Sequence, residues 1–189
     1  MINLAVFASG TGSNAVNLYT YFKDHASIAF HKIYCNNPKA GIIEKSKSEG
    51  IECFVFNKES WVKGELLKLL NENKTDFIVL AGFLWLVPAD IIKAFPNRII
   101  NIHPALLPNY GGKGMYGSKV HESVIADKHK ESGITIHLVN EEYDKGEILL
   151  QKKVEITEYD NATSLASKIH NLEFEYFPKT VEKYLLEYQ

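Results

Sequence analysis

No stretch of this 189-residue chain stays apolar for the roughly 20 residues that a membrane-spanning helix needs. The start, MINLAVFASGTGSN, has no basic flank ahead of its short apolar run, so it reads as a first strand and not as a secretory signal. Charge of one sign is missing too. Twenty-one Lys and Arg against 23 Asp and Glu leave a formal net charge of -2, so no global field draws nucleic acid or an anionic membrane, and an anionic ligand must be caught locally. Cysteine is scarce: Cys35 and Cys53, both in apolar strand-like runs, fit buried thiols better than a disulfide framework. The histidines lack zinc-type spacing, since His103, His121 and His137 fall on separate segments with no cysteine companion, and no metal is expected. Repeats, low-complexity tracts and an internal linker are absent. What remains is the expectation of a single cytoplasmic domain over residues 1–189, large enough to bury a core, acting on small molecules without nucleic acid or membrane.

Apolar runs bounded by turn residues alternate with stretches of helical period, the pattern of strands and crossover helices in a largely parallel α/β sheet. Strands are expected over Asn3–Ala8, Ala29–Cys35, Glu52–Phe56, Phe77–Ala81 and Ile99–Ile102, and helices over Asn14–Phe22, Ile42–Glu49 and Trp61–Asn71. From Gly133 onward GITIHLV and EILLQKKVEI alternate polar with apolar residues around the acidic turn NEEYDKG, which predicts an antiparallel pair added to the sheet. Asp160 and Asn161 are N-cap candidates for a long amphipathic helix interrupted at Pro178.

Three segments carry chemistry. In VFASGTGSNA, Gly10 and Gly12 mark a strand-to-helix turn where the N–H groups of Gly12, Ser13 and Asn14 would face an anion such as phosphate. The same residues match a relaxed dinucleotide fingerprint, but Cys35-Asn36-Asn37-Pro38 stands where that reading needs an acidic residue. A tight turn without ligand is the plainer reading. IVLAGFLWLVP stays apolar past its strand, as core or as the wall of a pocket for a flat ligand. RIINIHPALLP sets Asn101 and His103 two apart on an extended chain, so they share a face at a strand end. An Asn capping a turn and a backbone-bonded His is the bland alternative.

In combination these segments resemble the phosphoribosylglycinamide formyltransferases, the folate-dependent glycinamide ribonucleotide transformylases of purine synthesis. ASGTGSN, VLAGFLWLVP, IINIHPALLP, GITIHLVNEEYDKGEILLQ and Ile169-x-x-x-Glu173-x-x-x-x-Pro178 occur in that family's order across essentially the whole chain. The resemblance implies a single doubly wound, Rossmann-like domain, mostly parallel with helices on both faces. It also implies transfer of a formyl group from 10-formyltetrahydrofolate, as co-substrate and not as a tightly bound cofactor, to the amine of phosphoribosylglycinamide. Asn101, His103 and Asp144 match the catalytic trio. Thr11, Gly12, Ser13 and Asn14, with His170, Asn171, Leu172 and Glu173, would hold the ribonucleotide. Leu84, Trp85, Leu86 and Val87, with Asn101, Asn140, Glu141, Glu142, Tyr143 and Asp144, would hold the folate. The chemistry suits these types: Asn101 and a protonated His103 would stabilise the oxyanion, with Asp144 raising the His103 pKa. His137 is expected to support the site. A monomer or weak homodimer is expected.

The chain departs from many relatives in having Trp85 where a basic residue is common, Lys145 where Gly is common and Ala105 where Ser is common. Asn109–His121, with its glycines and Lys113, reads as a mobile flap beside the phosphate. Other readings are formyltetrahydrofolate hydrolase, methionyl-tRNA formyltransferase, which normally adds an RNA-contacting domain, and a nucleotide-binding module without catalysis.

Overall fold

The computed structural model describes residues 1–188. Seven strands form one sheet in the order β3-β2-β1-β4-β5-β6-β7: β1 (Ile2–Ala8), β2 (Ile28–Cys35), β3 (Cys53–Val55), β4 (Phe77–Leu80), β5 (Ile99–His103), β6 (Glu131–Leu138) and β7 (Ile148–Glu155). Pairing is parallel from β3 to β5 and antiparallel from β5 to β7. The expected mostly parallel sheet with an antiparallel addition is what forms. Sheet centre and sequence agree because an inner parallel strand is covered on both faces. Along β1, Leu4, Val6 and Ala8 enter one core while Ala5 and Phe7 enter the other.

Helices α1 (Ser13–Phe22), α2 (Gly41–Ser48), α6 (Ser118–Ala126) and α7 (Ala162–Glu187) pack on the first core, and α3 (Lys58–Val62), α4 (Glu65–Glu72) and α5 (Ala89–Ala94) on the second. The helix expected over Trp61–Asn71 is two helices, broken where Gly64 adopts φ 77°, a conformation open to glycine. The flap expected over Asn109–His121 ends in structure, since Ser118 to His121 form the first turn of α6. Neither α5 nor α6 was anticipated: each is short and depends on one to three buried residues, such as Ile91 or Val120 and Val124, too few to show a period.

Helix α7 starts on Asn161, whose side chain accepts from the N–H groups of Thr163 and Ser164 while Ser164 Oγ accepts from Asn161 N–H. This capping box fixes where the helix begins. Asp160, just outside, accepts from Thr157 N–H and pairs with Lys168. The expected interruption at Pro178 does not occur. Pro178 lacks the N–H that would bond the Phe174 carbonyl, and Asn17 Nδ2 of α1 donates to that carbonyl at 3.0 Å instead. A neighbouring helix thus satisfies the acceptor that proline leaves free, and α7 runs unbroken for 26 residues.

Both cysteines are free, Cys35 buried and Cys53 partly so, and burial pushes both thiols up from their ordinary pKa. No helix among the described residues is long and apolar enough to cross a membrane.

Candidate active site

Two rows of opposed residues cross the antiparallel side of the sheet. Asn101 of β5 faces His137 of β6, and His103 faces Thr135, which faces Gln151 of β7. Directly opposed residues share a face, and residues two apart on one strand share it too, so all five side chains project together. Leu80, the partner of Asn101, is the last residue of β4. Beyond it the chain turns away at Gly82, with φ 72°, and opens a cavity of about 960 Å³ against Asn101 and His103.

The segment between β6 and β7 returns over this face. Asp144, at φ 55° in the left-handed region that Asn and Asp tolerate best among residues with a side chain, points its carboxylate into the row. Oδ2 accepts from Gly112 N–H at 2.8 Å and lies 3.6 Å from His103 Nδ1. Oδ1 lies 3.4 Å from Asn101 Nδ2 and 3.5 Å from His137 Nε2. Gly146 closes the same turn: a Cβ there would collide with the Leu138 carbonyl.

Partners assign the protons. His137 Nδ1 meets the Leu138 carbonyl at 2.7 Å, which can only accept, so Nδ1 carries hydrogen and Nε2 accepts from Asn101 Nδ2 at 3.0 Å. His103 Nε2 meets the Tyr110 carbonyl at 2.7 Å and must donate, which leaves Nδ1 facing Asp144. The pull of Asp144 toward a charged His103 is present as expected, but burial opposes it. Burial is the largest influence and holds the His103 pKa below its ordinary value, although Asp144 and the Tyr110 carbonyl push the other way. For Asp144, burial pushes up, but the His137 ring 3.5 Å away, the His103 ring and the Gly112 N–H together bring it below the usual carboxylate range. Both directions favour a neutral imidazole beside a carboxylate. The Asn101 amide directs its N–H groups at His137 and Asp144.

At one end of the cavity, α1 begins at Gly12 with Val16 N–H bonding the Gly12 carbonyl. The N–H groups of Ser13, Asn14 and Ala15 are therefore outside the helix's own ladder. Thr11, Ser13 and Asn14 line the wall, whereas Gly12 sits behind it at φ 71°, where a Cβ would strike the Ile42 side chain. Asn14 Nδ2 donates to Glu173 Oε2 at 2.9 Å, which His170 Nδ1 also meets at 3.2 Å. Asn14 Oδ1 is buried without a partner. Of the α7 residues expected here, His170 and Glu173 line the cavity, but Asn171 is exposed and Leu172 packs on the core.

At the other end the apolar bend is both core and wall. Phe83 and Val87 are buried, while Leu84 and Leu86 are each 42% exposed. Ser9 Oγ accepts Leu84 N–H at 3.0 Å and Trp61 Nε1 donates to the Leu86 carbonyl at 3.1 Å, so the bend is held from behind. Leu84, Trp85, Leu86, Val87, Asn140, Glu142, Tyr143 and Asp144 line the main cavity. Glu141 instead lines an adjoining cavity of about 540 Å³, which also takes in Trp85, Tyr143 and Lys58.

Sequence reasoning missed Lys45, which lines the main cavity; Lys113, Met115, Tyr116 and His121 line it too, from the segment read as a flap beside the phosphate. The glycine pattern around Lys113 was the one available signal. His121 is buried with Nδ1 unpartnered, and burial holds its pKa down against the pull of Glu173 and Glu122. No group of three or more His, Cys, Asp or Glu among the described residues is placed to hold a metal ion.

Residues 2–181 match the family model described as formyl transferase. The chain is 40% identical over 185 residues to the chloroplastic phosphoribosylglycinamide formyltransferase of Arabidopsis thaliana, covering 94% of this chain and 63% of that one. It therefore spans somewhat less than two thirds of that plant relative. To the phosphoribosylglycinamide formyltransferase of Bacillus subtilis it is 34% identical over 193 residues, covering 98% and 95%. A crystal structure of phosphoribosylglycinamide formyltransferase from Bacillus halodurans superimposes with a TM-score of 0.88 at 32% identity, covering 99% of this chain and 97% of the other.

Proposed function

Because the chain belongs to the formyl transferase family, we propose that it transfers the formyl group of 10-formyltetrahydrofolate to the amine of phosphoribosylglycinamide. The products are formyl-phosphoribosylglycinamide and tetrahydrofolate, a step of purine synthesis. The observation that carries this reading is the convergence of Asn101, His103 and Asp144 on one cavity between the free N–H groups of α1 and the apolar bend.

The ribonucleotide phosphate sits on Thr11 to Asn14, with Lys45 as a nearby cation, and the glycinamide end meets Glu173 and His170. Gly12 shapes this loop, and Asn171 and Leu172 position the helix turn between the two contacts. The folate's flat ring lies against Leu84 to Val87 and the Asn140–Asp144 segment, Glu141 included. The amine attacks the formyl carbon and a C–N bond forms. The carbonyl oxygen gains charge and takes the Asn101 N–H now spent on the 3.4 Å bond to Asp144. His103 accepts the amine's proton at Nδ1, where the resulting imidazolium is held between Asp144 and the Tyr110 carbonyl. As the bond from carbon to the folate nitrogen breaks, that nitrogen takes up a proton through the same relay. Both substrates are small molecules, no metal takes part, and the chain acts as one cytoplasmic catalytic domain, a monomer or weak homodimer.

Steady-state turnover with 10-formyltetrahydrofolate in the presence and absence of phosphoribosylglycinamide tests the reading. Formyl transfer that requires the ribonucleotide is expected. Folate deformylation at the same rate without it would replace this reading with hydrolysis, and no turnover with tight binding would leave a binding module.

A further inference from the structure

The turn after His103 is held by two side chains that do not line the cavity, and we infer that Thr135 and Gln151 are positioning residues which set the orientation and tautomer of the His103 ring. This rests on the formyl-transfer reading and deepens it. Thr135 is wholly buried, and its hydroxyl is fully used. It donates to the Ala105 carbonyl at 2.7 Å, and accepts from Leu107 N–H at 3.0 Å and from Gln151 Nε2 at 2.9 Å. Gln151 Nε2 also donates to the Leu107 carbonyl at 2.9 Å. Both backbone polar groups of Leu107 and the carbonyl of Ala105 are thus tied to two side chains on β6 and β7.

That tied segment lies between His103 and Tyr110, and the Tyr110 carbonyl takes the His103 Nε2 hydrogen. The bond decides which ring nitrogen is basic. With hydrogen on Nε2, the Nδ1 lone pair faces Asp144 and the proton relay is assembled. If the turn shifts, the Tyr110 carbonyl shifts with it, and the ring is free to rotate or change tautomer. Thr135 and Gln151 act on the reacting groups only through this backbone. Thr135 opposes His103 directly and Gln151 opposes Thr135, so the support stands on the same row of the sheet as the ring it supports.

Thr135→Val, which keeps the shape and removes the hydroxyl, and Gln151→Leu, on the edge strand, test the inference with Thr135→Ser as the conservative variant. Two quantities are read on the full chain: kcat and KM for both substrates, and the ring-nitrogen chemical shifts of His103 in ¹⁵N-histidine-labelled protein. In the wild type the shifts should report hydrogen on Nε2. Thr135→Val and Gln151→Leu should lower kcat by roughly ten- to a hundredfold, leave both KM values near wild type, and move the His103 shifts toward a mixture of tautomers. Thr135→Ser should restore both. A fall in kcat with His103 shifts unchanged would mean the pair merely holds strands together, and unchanged kcat with unchanged shifts would also overturn the inference. If Thr135→Val does not fold, Gln151→Leu decides alone. The nitrogen shifts need no turnover, so a wild type without formyl transfer sinks the functional reading while the positioning inference is still decided by the spectra.

Discussion

Replacing Asp144 with Asn removes a negative charge 3.6 Å from His103 Nδ1 with almost no change in volume. At such a distance, with the effective dielectric near 20 that suits protein sites, the carboxylate favours an imidazolium by about 4 kcal/mol. In the proposed mechanism His103 carries the proton in the transition state but not in the ground state, so this stabilisation acts on the barrier, and about 4 kcal/mol corresponds to roughly a thousandfold in kcat. The Asn side chain retains an oxygen for Gly112 N–H, so the turn survives and KM should stay near wild type. The pH profile gives a second reading of the same charge. Burial holds the His103 pKa below its ordinary value and Asp144 opposes that fall. Removing Asp144 therefore lowers the pKa further, and the acid limb of kcat/KM, where neutral His103 is lost to protonation, moves to lower pH. Asp144 itself, held below the usual carboxylate range, stays ionised across this window. Steady-state formyl transfer measured from mildly acidic to neutral pH supplies both numbers. A variant within about tenfold of wild-type kcat, or an acid limb that moves to higher pH, would refute the placement of the proton on His103 beside Asp144.

Three further perturbations separate folding from binding. Gly12→Val forces a side chain into Ile42 at φ 71° and should cost about 2–4 kcal/mol of stability in denaturant unfolding; wild-type stability with lost ribonucleotide binding would place the damage in the phosphate loop instead. Asn17→Ala leaves the Phe174 carbonyl beside Pro178 without its donor and should cost about 0.5–1.5 kcal/mol, while adding Pro178→Ala should recover part of that loss by restoring the helix's own bond. No recovery in the double variant would show that Asn17 matters for another reason. Lys45→Met removes a cation from the ribonucleotide end of the cavity and should raise the ribonucleotide KM by about tenfold, equivalent to 1.4 kcal/mol, with kcat near wild type; an unchanged KM would remove Lys45 from the phosphate contact.

The elements legible in the sequence are those whose residues answer to a single periodic demand. The inner strands are covered on both faces, so LAVFA and FIVL read as strands without help. The antiparallel pair declared itself by alternation. What escaped is what a second element supplies. Pro178 looks like a helix breaker until Asn17, distant in sequence, takes over its acceptor. Gly64 looks tolerable within an amphipathic run until its backbone turns left-handed. The site divides in the same way. Asn101 and His103 are marked by their spacing at a strand end and Asp144 by the family resemblance, and the three do meet. The charge on His103 is another matter: it depends on how deeply the ring is buried, and no spacing reports depth. Lys45 lines the cavity from a helix whose sequence has an ordinary helical pattern and nothing to mark that residue.

The place of the site follows from unequal strand lengths. Strand β4 stops at Leu80, level with Asn101, whereas β5 continues through Ile102 to His103. From Asn101 onward, β5 has a neighbour on its β6 side and an opening on its β4 side. In an all-parallel sheet the next strand would return by a crossover helix and end at the same level, leaving the far side of β5 equally unsupported. The antiparallel hairpin lies alongside the protruding residues instead, with His137 against Asn101 and Thr135 against His103. Its connection is then free to fold back and deliver Asp144 to the row. One strand end thereby gains an open edge for substrate and a braced edge for alignment. This is why the reacting groups lie where parallel and antiparallel pairing meet, and why support for His103 is to be sought across β6 and β7 and not on the cavity wall.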